Sequence, residues 1–276
     1  MLKNSSVNLL AIITPHNTHA ALALECLKSG RHVICEKPLA LTTDECDTMI
    51  EEAQKQGCLL STYHNRHWDG NVMFALEKVR SGIIGDVVRI EAHTGNWSQP
   101  KDSWRSSKSI SGGILYNWGV HLLEYALQII GNAEITEVSG FAKNGFWQTK
   151  WEEDSNEDEA FLVARFNTGQ WITLCISSLD SNPKEGMFEI TATKGSLIMG
   201  SSDWKMITHD SGGSIVTETG KCPDAQWLKY YQNISDHLCK SDPLVITPEW
   251  ARRPIHIIEL ACLSVQKGTS LKAKYK

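Results

Sequence analysis

Four short segments of this chain carry residue types able to bind ligands and move protons. They are Thr14-Pro15-His16 with His19, Glu36-Lys37-Pro38, the tract Tyr63-His64-Asn65-Arg66-His67-Trp68, and Gly112-Gly113 followed by Asn117 and His121. A lysine ammonium can stabilise charge developing on an oxygen, and an imidazole titrates close enough to neutrality to accept a proton. His16 and His19 have no third ligand nearby, so no metal site is expected of them. Arg66 can pair with a ligand oxygen or enter a structural salt bridge. Trp97, Trp104 and Arg105 lie in a Ser-, Trp- and Lys-rich loop, where they can line a ligand pocket, make an oligomer contact or simply pack.

The first three segments share a position. The apolar run Leu9 to Ile13 predicts a strand, and the apolar spacing of Ala20, Ala23, Leu24 and Leu27 predicts a helix closed by Gly30. Val33-Ile34-Cys35 reads as a second buried strand. A helix starting at Leu41-Thr42-Thr43-Asp44-Glu45 runs to about Gln56 before Gly57, and Leu59 to Tyr63 is the third strand. This β-α-β-α-β order belongs to an α/β layer, whose ligand crevice lies beyond the carboxyl ends of the strands. All three segments fall at such ends.

Further on, the pattern predicts a helix from Trp68 to Arg80, a strand from Asp86 to His93, and a helix from Gly113 to about Ile130. On that helix Asn117 would stand one turn before His121, on the same face. Strands are expected at Ile135 to Lys143, Ala160 to Phe166, Trp171 to Ser177, Phe188 to Thr193 and Ser196 to Met199, with weaker runs near Lys205 and Ile215. Helices return at Gln226 to Lys240 and Glu249 to Lys267, with Pro248 in a first turn and Pro254 predicting a kink or a delayed start. The acidic run 151–159 reads as a solvated loop.

Over 276 residues the net charge is -5 and 21% of residues are charged, which gives no broad electrostatic surface for nucleic acid or an anionic membrane. The eight cysteines form no C-x-x-C pair and read as the reduced thiols of a cytoplasmic protein. There is no run of the ~18 apolar residues that a membrane span needs, and no signal peptide is expected.

Thr14-Pro15-x-x-x-His19, His32-Val33-Ile34-Cys35-Glu36-Lys37-Pro38-Leu39-Ala40 and Gly112-Gly113-x-Leu115-x-x-x-Gly119-x-His121 together resemble the glucose-fructose oxidoreductase, inositol dehydrogenase and MocA family. The resemblance covers nearly the whole chain. It implies an α/β fold followed by α+β: a partial Rossmann layer in residues 1–63, then a domain in 64–276 with a large, mostly antiparallel open sheet and helices on one face. It also implies NAD or NADP as cofactor, a hydroxyl or carbonyl of a sugar or cyclitol as substrate, and homo-oligomer contacts through the sheet.

By the same resemblance Lys37 lies near the nicotinamide and the reacting oxygen, Glu36 contacts the cofactor ribose, and His121 transfers the proton. Thr14, Pro15, His16, His19 and Arg66 belong to the cofactor side, and Trp104, Arg105 and Asn117 to the substrate side. The family usually has Asp where this chain has Asn117; an amide can hydrogen-bond but supplies no charge to orient an imidazolium. The family's G-x-G-x-x-G turn is not matched, since no glycine precedes Gly30. The chain is therefore expected to begin near the family's fourth strand, as a fragment of a longer enzyme or as a naturally shortened one. A catalytically silent relative that binds ligand or mediates oligomerisation is the alternative.

Overall fold

The computed structural model describes residue 2 and residues 6–275. A small sheet comes first, with β1 (Leu9–Ile12), α1 (His19–Lys28), β2 (His32–Cys35), α2 (Thr43–Gln56) and β3 (Leu60–Thr62). The three strands pair in parallel in the order β1-β2-β3. The start of α2 follows from its sequence. Thr42 and Glu45 form a reciprocal capping box, and Gly57 closes the helix in the left-handed region.

After α3 (Gly70–Arg80) the chain enters a larger sheet through β4 (Val87–Gly95). The helices α4 (Lys108–Ser111) and α5 (Gly119–Ile130) precede β5 (Ile135–Lys143), β6 (Glu159–Phe166), β7 (Trp171–Ser177), β8 (Phe188–Ala192) and β9 (Gly195–Met199). The hairpin β10 (Asp203–His209) and β11 (Ile215–Lys221), then α6 (Leu228–Lys240), α7 (Pro248–Lys267) and β12 (Leu271–Lys272), complete the described fold. The nine strands run β11-β10-β9-β8-β4-β7-β6-β5-β12. All neighbours are antiparallel except β4 and β7. Alternation fixes the faces: Leu162, Ala164, Ile172, Leu174 and Ile190 are fully buried toward α5 and α7, while Phe161, Val163 and Thr173 lie on the opposite side, half-buried.

The terminal helices return to the first sheet. Tyr230 and Ile234 of α6 pack with Ile34 and Leu59, and Ser61 donates to the Ile246 carbonyl. Glu259 of α7 accepts from the Thr43 amide and hydroxyl. The approach of α7 to β5 leaves no room for a side chain at Gly140, where a Cβ would stand 2.2 Å from the Ala261 carbonyl oxygen. Gly140→Ala is therefore expected to lower stability by roughly 1–3 kcal/mol through forced displacement of packed backbone. An unchanged urea midpoint would contradict that.

Three expectations are corrected. The helix expected from Gly113 is interrupted: a single 3-10 turn, Ile114–Tyr116, precedes it and α5 starts only at Gly119. Gly112 and Gly113 adopt positive φ, and the Glu157 carboxylate takes the Ile114 amide, so tertiary contacts set this turn. Asn117 thus lies before the helix, not on the His121 face of it. The acidic run is not a solvated loop. Asp154 accepts from Ser107 and Ser109, Asp158 from the Phe146 and Trp147 amides, and Glu159 from Ser177. Carboxylates there satisfy backbone donors that the connecting loops leave open. Pro254, finally, does not delay the helix start, since α7 begins at Pro248 and Pro254 lies inside it. Among the described residues no helix is long and apolar enough to cross a membrane.

Candidate functional site

The carboxyl ends of the three parallel strands and the start of α5 converge on one locus. After β1, Thr14 and Thr18 bond through their hydroxyls, and His16 is buried with Nδ1 at 2.8 Å from the Ser111 carbonyl. Burial holds its pKa down to about 3, so the ring is neutral. His19 is fully buried, with its ring nitrogens at 2.7 Å and 3.0 Å from the Pro38 and Thr14 carbonyls. These contacts place the ring between the first turn and the second.

After β2 comes Glu36-Lys37-Pro38, with the Lys37-Pro38 peptide cis. The Lys37 ammonium donates to the Asn117 carbonyl at 2.7 Å. Burial lowers the Lys37 pKa to about 8; Glu36 opposes the shift, and Arg105 and Arg66 add to it. Asn117 therefore acts through its main chain on the lysine, a contact that its side-chain type could not announce.

After β3, His64 is buried, and among the described residues neither of its ring nitrogens has a partner. Burial lowers its pKa to about 4. Arg66 donates to Asp69 at 3.0 Å, and its guanidinium lies 4.9 Å from the Trp118 ring centre. Asp69 also accepts from Tyr125 and Trp227. This ion pair is one of the two roles expected of Arg66. His121, in the first turn of α5, is 8% exposed, and its buried Nδ1 has no partner. Its ring stands edge-on to His64 and to Trp118, with centroids 6.3 Å and 5.7 Å away. Burial first, then the charge of Lys37, holds its pKa well below the usual histidine value.

Beside this cluster opens a cavity of about 410 Å³. Asn117, whose carbonyl takes the Lys37 ammonium, and Trp118, whose ring meets His121, line it with Arg105, Trp147, Asn96 and Ser177; the Lys37 and His121 side chains are not part of the lining. Trp104 does not line it; its ring packs against His16 and under Arg105. Trp97 is half-exposed in an aromatic cluster with Phe146 and Trp147. Sequence reasoning passed over Trp118, Trp147 and the ring of His64. Trp118 and His64 lay inside segments already singled out, whereas nothing local marks Trp147, which reaches the cavity from the loop after β5. Among the described residues no three His, Cys, Asp or Glu side chains group as metal ligands.

The first 64 residues match the family model for an oxidoreductase family with an NAD-binding Rossmann fold, and residues 72–198 match that for the GFO/IDH/MocA C-terminal domain. An uncharacterized oxidoreductase of Schizosaccharomyces pombe is 32% identical over 48% of this chain and 36% of its own length. The scyllo-inositol 2-dehydrogenase (NADP(+)) of Bacillus subtilis is 23% identical over 98% of this chain and 80% of its own. A solved levoglucosan dehydrogenase, in complex with NADH and levoglucosan, superposes with a TM-score of 0.85 at 18% identity, over 99% of this chain and 82% of that one. The match to the fission-yeast protein thus spans little more than a third of that relative.

Proposed function

Because this chain belongs to the Gfo/Idh/MocA oxidoreductase family, we propose that it carries the reaction centre of an NAD(P)-dependent dehydrogenase or reductase acting on a hydroxyl or carbonyl of a sugar or cyclitol. The observation that carries this reading is the desolvated Lys37 ammonium tied to the carbonyl of Asn117, which lines the cavity, together with the His121 ring, which meets the lining residue Trp118 and whose Nδ1 is unpartnered among the described residues. Two indoles, Trp118 and Trp147, together with Asn, Ser and Thr side chains, suit a ring that is apolar on its faces and hydroxylated at its rim. The similar Bacillus enzyme is named for scyllo-inositol, and the solved structural relative holds levoglucosan. Assembly through the outer face of the nine-stranded sheet belongs to the same proposal.

The cofactor's nicotinamide end is suited by Lys37, Glu36 and His121, whose orphaned Nδ1 and desolvated ammonium are groups that a bound reactant would satisfy. The turn after β1, Ile13-Thr14-Pro15-His16, offers nothing to the pyrophosphate end, since it has no glycine and Pro15 has no N–H to give. When bound, a nicotinamide supplies the hydride chemistry. The residues of this chain then handle the oxygen. Lys37 donates toward the charge that develops there, and His121, neutral at pH 7, takes the proton that the hydroxyl loses.

Calorimetric titration of this 276-residue chain with NADH is expected to give binding weaker than micromolar. A micromolar constant would overturn the statement about the pyrophosphate end. The function itself is tested by supplying millimolar NAD(P)+ with a panel of cyclitols and anhydrosugars and following reduced nicotinamide by absorbance. Turnover is the expected result. Polyol binding with no turnover at any cofactor concentration would favour the second reading, a ligand-binding relative without catalysis, which the uncharged Asn117 supports.

A further inference from the structure

Four charged side chains line the cavity beside Lys37: Lys101, Arg105, Glu157 and Asp158. Both carboxylates are already used. Glu157 pairs with Lys108 at 2.7 Å and accepts the Ile114 amide at 3.0 Å, and Asp158 accepts the amides of Phe146 and Trp147 at 2.8 Å and 3.2 Å. Neither cation is used. Among the described residues Lys101 and Arg105 enter no ion pair, whereas the nearby Arg66 spends its charge on Asp69. The Arg105 guanidinium rests 4.4 Å from the Trp104 ring centre, so the stacking orients it while leaving its N–H groups free. Its main chain is fixed as well, because its carbonyl accepts Asn156 Nδ2 at 2.6 Å.

We propose that this cavity takes a ring bearing a carboxylate, held by Arg105 with Lys101, so that the substrate is a sugar acid rather than a neutral polyol. The proposal rests on the sugar or cyclitol reading above and narrows it. A guanidinium presents a planar fork of donors that matches a carboxylate, and such charge-assisted pairs are about twice as strong as neutral ones. A further cation, the Lys37 ammonium, lies beyond Asn117. An anionic substituent would thus enter at Arg105 while its ring lies against Trp118, next to Lys37.

The test compares hexuronates with their parent hexoses by calorimetry on the whole chain at low salt, without cofactor, so that it does not depend on hydride transfer. Glucuronate and galacturonate are expected to bind roughly tenfold or more tighter than glucose and galactose. Arg105→Gln and, to a smaller extent, Lys101→Gln should abolish that preference; both side chains are exposed, and thermal melts verify that the variants fold. Equal affinity for acids and neutral sugars, or no measurable binding of the acids, overturns the proposal. So does an Arg105→Gln variant that keeps the preference but loses NADH affinity, since Arg105 would then serve the cofactor's phosphate. Acid binding without turnover of any sugar acid or polyol would leave the anionic site standing and reject the dehydrogenase reading; turnover confined to neutral polyols would do the reverse.

Discussion

Lys37→Met is expected to lower turnover by roughly 10²–10³-fold, the scale of losing one donor aimed at a developing oxyanion, while cofactor affinity changes little. Methionine keeps most of the length and the apolar stem, so the burial of this position at the end of β2 is retained and the ammonium alone is removed. Two groups would register its loss. The Asn117 carbonyl loses a donor at 2.7 Å, and His121 loses the positive neighbour that adds to the lowering of its pKa. The pH profile separates this from a packing defect. With the Lys37 pKa lowered to about 8, the charged form predominates below that value, so activity that needs the ammonium falls as pH rises through about 8. In Lys37→Met the residual rate should lack that alkaline limb. Steady-state kinetics from about pH 6 to about pH 10 would check both points, and an unaffected turnover would remove Lys37 from the chemistry.

Acid is expected to unfold this protein from the histidine range downward. His16, His64 and His256 are buried and held neutral, with pKa values lowered to about 3, about 4 and about 4, chiefly by desolvation. His121 shifts the same way. In the unfolded chain each titrates near 6.5, so between that value and its folded value the unfolded state binds more protons. Stability is therefore fully present above about pH 6.5, declines as pH falls toward 4, and levels off for each group below its folded pKa. A drop to about 3 amounts to at most ~5 kcal/mol and a drop to about 4 to at most ~3, and the three together approach the whole stability of an ordinary domain.

His64 is the informative one to change, since neither ring nitrogen makes a hydrogen bond and a hydrocarbon there forfeits none. His64→Leu should flatten the dependence of the urea midpoint on pH between about 7 and about 4, whatever it does to the midpoint at neutrality. Parallel pH slopes in the variant and the parent protein would show that His64 is not among the groups responsible.

Much of the scaffold was legible because its causes are local. The run Leu9 to Ile13, the Thr42–Glu45 capping box and Gly57 each decide their own few residues by burial, capping or backbone freedom, and the structure has β1, the start of α2 and its end where they indicate. The turn before α5 was misread for the opposite reason. Its apolar spacing is helical, but Glu157, forty-three residues later, takes the Ile114 amide, and two glycines at positive φ redirect the chain. The acidic run failed likewise, since charge alone does not reveal which loop amides a carboxylate will cap.

The sequence by itself determined the chemical vocabulary: an ammonium at Lys37, an imidazole at His121, and strand ends to carry the first of them. Residue types and short-range periodicity are sufficient for that. Only the tertiary structure decided how those groups are employed. It put the Asn117 main chain rather than its side chain against Lys37, paired Arg66 with Asp69, set the His19 ring between two carbonyls, and among the described residues left Arg105 with no counter-charge at a cavity wall. Each of these depends on which distant donor or acceptor arrives first at a desolvated group, and burial, which makes the pairing matter, is a property of the packed chain alone.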